Sequence, residues 1–135
     1  MTLRHKAREF ALQMLFEWDM TRQDPARVER TFWKSARAAD RTRKFAGQLF
    51  EGAVSQAGET DALVTVVSEN WRIDRLATID RNILRLAIYE FRSRTAPPKV
   101  VIDEALELAK RFSSEEAPAF LNGILDAALK KLEAA

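Results

Sequence analysis

Few residues in this chain have a type and spacing that could support catalysis. The chain has one histidine, His5, and no cysteine. It therefore lacks the usual ligands of a zinc or thiolate site, and the basic residues around His5 would repel a metal cation. The sequence has no glycine-rich phosphate loop and no nucleophile elbow of the form GxSxG. We therefore expect a protein that is not an enzyme and that has no metal and no cofactor.

Glu90 is the carboxylate with the most unusual position. At about 100° per residue it falls in the middle of the apolar face that Ile79, Ile83 and Leu86 define. A buried carboxylate is a candidate catalytic acid or base, but charged core residues normally persist only when they are paired. No pocket motif accompanies Glu90. We therefore expect a structural carboxylate held by an arginine or by the amides of a helix N-terminus.

A group of basic residues opens the first predicted helix. Arg4, His5, Lys6 and Arg8 lie at its N-terminal end, where the helix dipole disfavours cations and an external anion would compensate. Phe16 falls on the back of this helix, and an exposed aromatic ring beside cations can stack an unpaired base. The alternative is a solvated charged face with Phe16 buried under a neighbouring helix. These residues alone support RNA binding and the alternative about equally.

Helices must position these residues. The 135 residues include only four glycines and four prolines, the residues that most often form turns, so long helices are expected. In the first helix, from Leu3 to Asp19 with Thr2 as N-cap, apolar residues recur at spacings of three and four. These apolar residues are Leu3, Ala7, Phe10, Ala11, Met14, Leu15 and Trp18.

The next boundaries follow from capping residues and glycine. Asp24 followed by Pro25 predicts the start of a second helix, and Asp40 is expected to cap a third that stops at Gly58. A fourth helix is expected from about Thr60 to Asn70. The run from Leu63 to Val67 is the one strand candidate, because it is the only β-branched run, but a lone strand would have no pairing partner. We therefore expect a helix there.

The second half of the chain predicts three more helices. Apolar positions from Ile79 to Phe91 cover more than one face, as expected of a central helix enclosed by neighbours. The pair Pro97-Pro98 interrupts the helical pattern before a sixth helix that reaches Phe112. The spacing from Ser113 to Glu116 matches a capping box that introduces the last helix. The fold expected is all-α, a compact bundle of about six to seven helices in one domain over residues 1–135.

Charge and hydropathy limit the location and the partners. The net charge of +2 and the pI of about 9.1 permit an anionic partner if the positive charge is gathered in one place. No apolar run is long enough to span a bilayer, and the N-terminus lacks the apolar core of a secretory signal. The absence of cysteine suits a reducing compartment. A cytoplasmic protein is therefore expected, with no membrane partner.

Three parts of the sequence carry a resemblance to a known family. They are the basic opening RHKAREFALQ (4–13), the central run IDRNILRLAIYE (79–90), and the C-terminal pair VIDEALELAK (101–110) and FLNGILD (120–126). Together and in this order they resemble the NusB family of bacterial transcription antitermination proteins. The resemblance extends over nearly the whole chain.

The resemblance implies a fold, a ligand and partners. A NusB-like protein is all-helical and binds boxA-type single-stranded RNA with NusE, a small-subunit ribosomal protein, in an antitermination complex on RNA polymerase. By matching position and by the charge pattern above, RNA contacts are expected at Arg4, Lys6, Arg8, Gln13, Phe16, Glu116 and Phe120. The face for NusE is expected at Asp80, Ile83, Leu84, Ile102 and Glu104.

The sequence departs from the family pattern at three places. His5 and Lys6 interrupt the arginine run that is common in the family, and lysine grips a phosphate less specifically than arginine does. RNA affinity without NusE is therefore expected to be modest. Phe16 stands where a tyrosine is common, so it can stack but cannot form a hydroxyl hydrogen bond. The segment before Phe120, residues 117–119, adds no cation.

Two alternative functions remain open at this point. The chain could be a helical protein-interaction or dimerisation module, in which exposed apolar residues form a homodimer. It could also be a separate NusB-like RNA-binding domain of an RNA methyltransferase system, because NusB-like domains are found fused to such enzymes. Methyl transfer would then require a second polypeptide, since this sequence has no α/β cofactor domain.

Overall fold

The computed structural model describes residues 2–69 and 73–134, and in these residues it contains helices and no strand. The α-helices are α1 (Leu3–Thr21), α2 (Pro25–Ser35), α3 (Asp40–Ser55), α4 (Ala57–Val67), α5 (Thr78–Ser93), α6 (Pro98–Phe112) and α7 (Ala117–Ala134), with a 3₁₀ turn at Ile73–Arg75. The all-helical prediction is confirmed, and the β-branched run lies in α4. None of the helices in this part of the chain is long and apolar enough to cross a membrane.

Helix α1 begins and packs as its sequence pattern predicts. The Thr2 hydroxyl accepts a hydrogen bond from the backbone N–H of His5 at 3.1 Å, which satisfies one of the free donors of the first turn. The predicted apolar stripe is buried from Ala7 to Trp18, whereas Leu3 remains exposed. The helix ends at Arg22, whose φ of 57° lies in the left-handed region.

Helix α5 is the central element of the bundle. It packs against α1, α3, α4, α6 and α7. Every residue from Asn82 to Ile88 is buried, because neighbours enclose the middle of the helix. The prediction of a central helix is therefore confirmed. Where α3 crosses α5, Gly52 lies so close to the ring of Tyr89 that a β-carbon at this position would overlap it.

Several predicted helix boundaries are wrong. Helix α3 ends at Ser55, and Gly58 lies in the first turn of α4. The cap at Gln56 has a φ of −101°, so this junction does not need a glycine. Asp40 is the first residue of α3, and Ala39 occupies the N-cap. The expected end of the fourth helix at Asn70 lies outside the described residues.

The predicted capping box at Ser113 is also wrong. Helix α7 begins at Ala117, and Ser113 is the C-cap of α6. The Ser113 hydroxyl donates to the Asp80 carboxylate at 2.5 Å, so it ties the end of α6 to the start of α5. A tertiary partner has thus replaced the local backbone amide as the target of this side chain.

Candidate nucleic-acid interface

The structure does not place the basic residues of α1 on one surface. Arg8 is only 2% exposed. Its Nε and Nη2 donate to the two carboxylate oxygens of Glu90 at 2.9 and 2.8 Å. The exposure expected of Arg8 is therefore not found, because α5 supplies a buried carboxylate that holds the guanidinium in the interior. The prediction that Glu90 is a structural carboxylate held by an arginine is confirmed.

The Arg8 guanidinium keeps its charge in the interior. Burial disfavours the charged form, but the hydrogen bond and the negative charge of Glu90 outweigh it and raise the pKa of Arg8. Glu104 adds to this effect from 3.8 Å. Thr95 donates to the same Glu90 carboxylate at 2.6 Å, so the carboxylate is bound from two directions. Arg8 therefore acts as a structural residue.

Arg4 lies on a different side of α1 from Lys6. The two residues are about 200° apart around the helix axis. The Arg4 guanidinium lies 4.7 Å from the ring centroid of Phe45 and donates to the carbonyl oxygen of Thr95 at 2.6 Å. Arg4 is exposed, but these contacts hold it towards α3 and the connection between α5 and α6. It can contribute to an RNA surface only at its edge.

Lys6 remains on the exposed side of α1. Its Nζ lies 3.4 Å from the buried carboxylate of Glu9 and 5.0 Å from the ring centroid of Phe10. Glu9 also binds Arg111 from the end of α6, so it joins cations of two helices. Sequence reasoning missed Arg111, which is exposed and stacks 5.3 Å from the ring centroid of Phe112.

A shallow apolar groove lies along α1 beyond Lys6. Its volume is about 200 Å³. It is lined by Leu12, Gln13, Phe16, Ile79 and Phe112. Phe16 is 36% exposed and Gln13 is exposed, whereas Leu12 is buried. Two predicted residues, Gln13 and Phe16, are thus brought together with an aromatic ring from the end of α6.

The sequence patterns assigned two of the groove residues, Ile79 and Phe112, to the core. Ile79 and Phe112 fit the apolar stripes of α5 and α6, but each lies at a helix end and is only half-buried. Their position next to a break in the helix is the signal that could have identified them. Glu116 and Phe120 follow across the short connection from α6 to α7, where both are exposed.

The residues expected to form the NusE face lie mostly in the interior. Ile83 and Leu84 are fully buried, so neither presents its side chain at the surface as expected of a partner contact. The enclosure of α5 by five helices is the physical reason. Asp80 is also buried and accepts from Ser113, whereas Ile102 and Glu104 are half-buried. The Glu104 carboxylate lies 2.6 Å from Nδ1 of His5, which joins α6 to α1.

No metal-binding arrangement is found in residues 2–69 and 73–134. No three histidine, aspartate or glutamate side chains cluster there as metal ligands. The buried carboxylates of Glu9, Asp19 and Glu90 each bind arginine. The chemistry that these residues offer is therefore stacking, apolar contact and charge pairing at the α1 surface.

Comparison with known proteins finds the same family along nearly the whole chain. The model of the NusB family matches residues 5–130. The transcription antitermination protein NusB of Koribacter versatilis is 47% identical, over 97% of this chain and 91% of that protein. The protein of the same name from Solibacter usitatus is 40% identical, over 98% of this chain and 92% of that protein.

Solved structures share this fold. The structure of T. maritima NusB superposes with a TM-score of 0.86 at 32% identity, over 96% of this chain and 92% of that chain. A chain in the crystal structure of the antitermination factors NusB and NusE with double-stranded RNA superposes with a TM-score of 0.84 at 29% identity, over 97% of this chain and 98% of that chain. The chain belongs to the NusB family.

Proposed function

We propose that this protein is a transcription antitermination factor that binds boxA-type single-stranded RNA together with the ribosomal protein NusE, in an antitermination complex on RNA polymerase. Its relatives are named transcription antitermination protein NusB, and one structural neighbour is a complex of NusB, NusE and double-stranded RNA. The observation in this chain that carries the proposal is the groove on α1, where an exposed aromatic ring lies near cations.

The groove has the features that an unpaired base requires. The ring of Phe16 is accessible, and the Phe112 ring beside it carries the Arg111 guanidinium 5.3 Å from its centroid. Aromatic stacking contributes about 1–3 kcal/mol per base and needs no particular sequence. Gln13 adds an amide that can donate to and accept from a base edge. Stacking with one polar contact gives affinity and some base preference.

The RNA contacts that we propose are a revised set. Lys6 replaces Arg8 as the phosphate contact of α1, because Arg8 is bound to Glu90 in the interior. The proposed set is Lys6, Gln13, Phe16, Arg111 and Phe112, with Arg4, Glu116 and Phe120 at the edges. Among the described residues we place two cations beside the groove, Lys6 and Arg111, so we expect modest RNA affinity in the absence of NusE.

The proposed NusE contact lies on the exposed side of α6. Of the five residues expected to form the NusE face, Ile102 and Glu104 lie on α6 and keep part of their side chains accessible. A partner on this side would also contact the pair that His5 and Glu104 form between α1 and α6. Partner binding would then hold the end of α1 that carries Lys6. This gives a physical route by which NusE and RNA could favour each other's binding.

A three-way binding assay tests the proposed function. The protein is titrated with a boxA-like single strand, with NusE, and with both. We expect RNA affinity to rise when NusE is present and to fall steeply with salt. Phe16→Ala should weaken RNA binding by about 1–3 kcal/mol, roughly 5- to 150-fold. Val66→Ala, which truncates an exposed apolar side chain on α4, is the matched control and should have no effect.

The same assay can reject the proposal. Equal RNA affinity with and without NusE would remove the proposed cooperation. If Phe16→Ala abolishes self-association and leaves RNA affinity unchanged, the protein is a dimerisation module and the groove is its interface. Sedimentation of both variants at the concentrations of the assay separates these outcomes.

A further inference from the structure

A second cationic surface lies between α2 and α3, apart from every residue in the proposed RNA set. Here an open cleft of about 500 Å³ separates the two helices. Its cations are Arg30 and Lys34 from α2 and Arg43 from α3, and Trp33 forms part of its wall. These cations are dispersed from residue 30 to residue 43 and do not form a run, so the sequence pattern did not indicate them.

No carboxylate in the described part of the chain neutralises the cations of this cleft. In the described ranges, Arg30, Lys34 and Arg43 form no salt bridge, whereas Arg8 and Arg85 are each paired with carboxylates. Arg43 lies 5.1 Å from the ring centroid of Trp33. On α2, Arg30 and Lys34 are four residues apart, so both project from the same side of the helix. Unpaired cations that converge on one cleft are suited to an anionic ligand.

Two carboxylates mark where an anion would not bind. Glu29 and Glu51 line the same cleft. Burial and the nearby charge of Glu51 raise the pKa of Glu29. Glu29 packs against Gly47, one turn further along α3 than Arg43, where a β-carbon would lie 2.7 Å from its Oε2. The cations of Arg30, Lys34 and Arg43 therefore define the part of the cleft open to a phosphate.

Packed side chains link the cleft to Lys6 on α1. Lys6 Nζ lies 5.0 Å from the ring centroid of Phe10, and the Phe10 and Trp33 centroids are 5.3 Å apart. Arg43 then lies 5.1 Å from the Trp33 centroid. Three short steps thus connect the phosphate contact proposed on α1 with the cations of the cleft. The Phe10 ring is buried, so these contacts show that Lys6 and Arg43 lie close enough for one RNA strand to reach both.

We propose that the cleft formed by Arg30, Trp33, Lys34 and Arg43 is a second RNA contact, which holds backbone phosphates of nucleotides that flank the segment bound on α1. This inference rests on the proposed function. An acidic protein segment would also be attracted to cations, but the short distance to Lys6 and the aromatic wall of Trp33 favour an RNA strand. The contact would add affinity with little sequence preference, because phosphates carry no base identity.

Two RNA lengths test this inference. A short boxA-like strand covers only the α1 groove, and a longer strand carries extra nucleotides on both sides. Affinity is measured against salt for the wild type and for the triple variant Arg30→Gln, Lys34→Gln and Arg43→Gln. For single strands each phosphate contact contributes about 0.7 to the slope of log affinity against log salt. We expect the triple variant to lose a slope of about 2 with the longer RNA and none with the short RNA.

The control removes the same charge elsewhere. Lys99→Gln, Lys130→Gln and Lys131→Gln together change three exposed lysines at the start of α6 and the end of α7, and should leave both slopes unchanged. Lys34→Gln alone keeps the stacking of Arg43 on Trp33 and should remove a slope of about 0.7 from the longer RNA.

The possible failures are distinguishable. If the wild-type protein does not bind the short RNA, the proposed function fails whatever the cleft does. If it binds the short RNA and the longer RNA gives no steeper slope, the cleft is not an RNA contact. Equal slopes for the cleft variant and the control variant also overturn the inference, including the case in which the cleft binds an acidic protein segment.

Discussion

At the scale of single residues, Arg8 and Glu90 connect the first helix to the centre of the bundle. Both side chains are buried, and two hydrogen bonds of 2.9 and 2.8 Å join them. Thr95 supplies a further donor to Glu90. If one member of such a pair is removed, the other remains as an uncompensated charge in the interior. The pair therefore restricts which substitutions this position tolerates.

We predict that Arg8→Ala lowers the free energy of unfolding by about 3–5 kcal/mol. Urea denaturation followed by circular dichroism measures this. The control is Arg27→Ala, an exposed arginine of α2, which should change the free energy by no more than about 0.5 kcal/mol. Replacing both partners, Arg8→Met with Glu90→Leu, should recover most of the loss. Equal effects of Arg8→Ala and Arg27→Ala would contradict the structural role of Arg8.

At the scale of elements, the contact between α3 and α5 depends on a missing side chain. Gly52 brings α3 against the ring of Tyr89, and a β-carbon at Gly52 would overlap this ring. Gly123 in α7 has open space where its β-carbon would lie. The two helical glycines thus offer the same substitution with and without a steric obstacle.

We predict opposite effects of alanine at these two glycines. Gly52→Ala should destabilise the protein, because overpacking costs about 1–3 kcal/mol and better helix propensity returns at most about 1 kcal/mol. Gly123→Ala should stabilise it by about 0.5–1 kcal/mol. Thermal and urea unfolding report both. In a Tyr89→Ser background, Gly52→Ala should become stabilising. A loss that persists in that background would mean that Tyr89 is not the obstacle.

The helices could be predicted from the sequence, but several of their junctions could not. Apolar spacing predicted α1 and the central position of α5. A helix that is buried on one face has apolar residues at regular spacing, and a helix that is enclosed by neighbours has them on every face. Gly58 and Ser113 were misassigned, since the junction at Gln56 needs no glycine and Ser113 binds Asp80 in place of a local amide. The same difference between local pattern and tertiary contact applies to the candidate interface. Exposed Gln13 and Phe16 could be predicted, whereas the burial of Arg8 depended on Glu90, 82 residues away.

At the scale of the whole molecule, a buried charge network joins three helices around Asp19. The Asp19 carboxylate of α1 accepts from Arg81 at 2.5 Å, from Asn82 at 2.9 Å and from Arg85 at 3.0 Å. Arg85 also donates twice to Asp61 of α4 at 2.9 Å. Burial alone would raise the pKa of Asp19. The hydrogen bonds from Arg81 and Asn82 and the charges of Arg85 and Arg81 outweigh burial and lower the pKa.

We predict that this network makes the protein sensitive to acid. The folded state has the lower pKa, so ionised Asp19 stabilises the fold above the unfolded value of about 3.9, and this contribution is lost as the pH falls through the folded pKa. Unfolding free energies measured below about pH 4 should therefore decline. Asp19→Asn should lower stability at neutral pH and flatten the acid profile. Asp126→Asn, at an exposed site on α7, should leave the profile unchanged, and a flattened profile there would count against Asp19.

The pairing of Arg8 with Glu90 also has a consequence during synthesis. Glu90 follows Arg8 by 82 residues, which take roughly 4–16 seconds to translate at about 5–20 residues per second. During that interval the Arg8 guanidinium lacks its carboxylate partner on α5. The ion pair that joins α1 to the centre of the bundle can therefore form only after α5 has been translated.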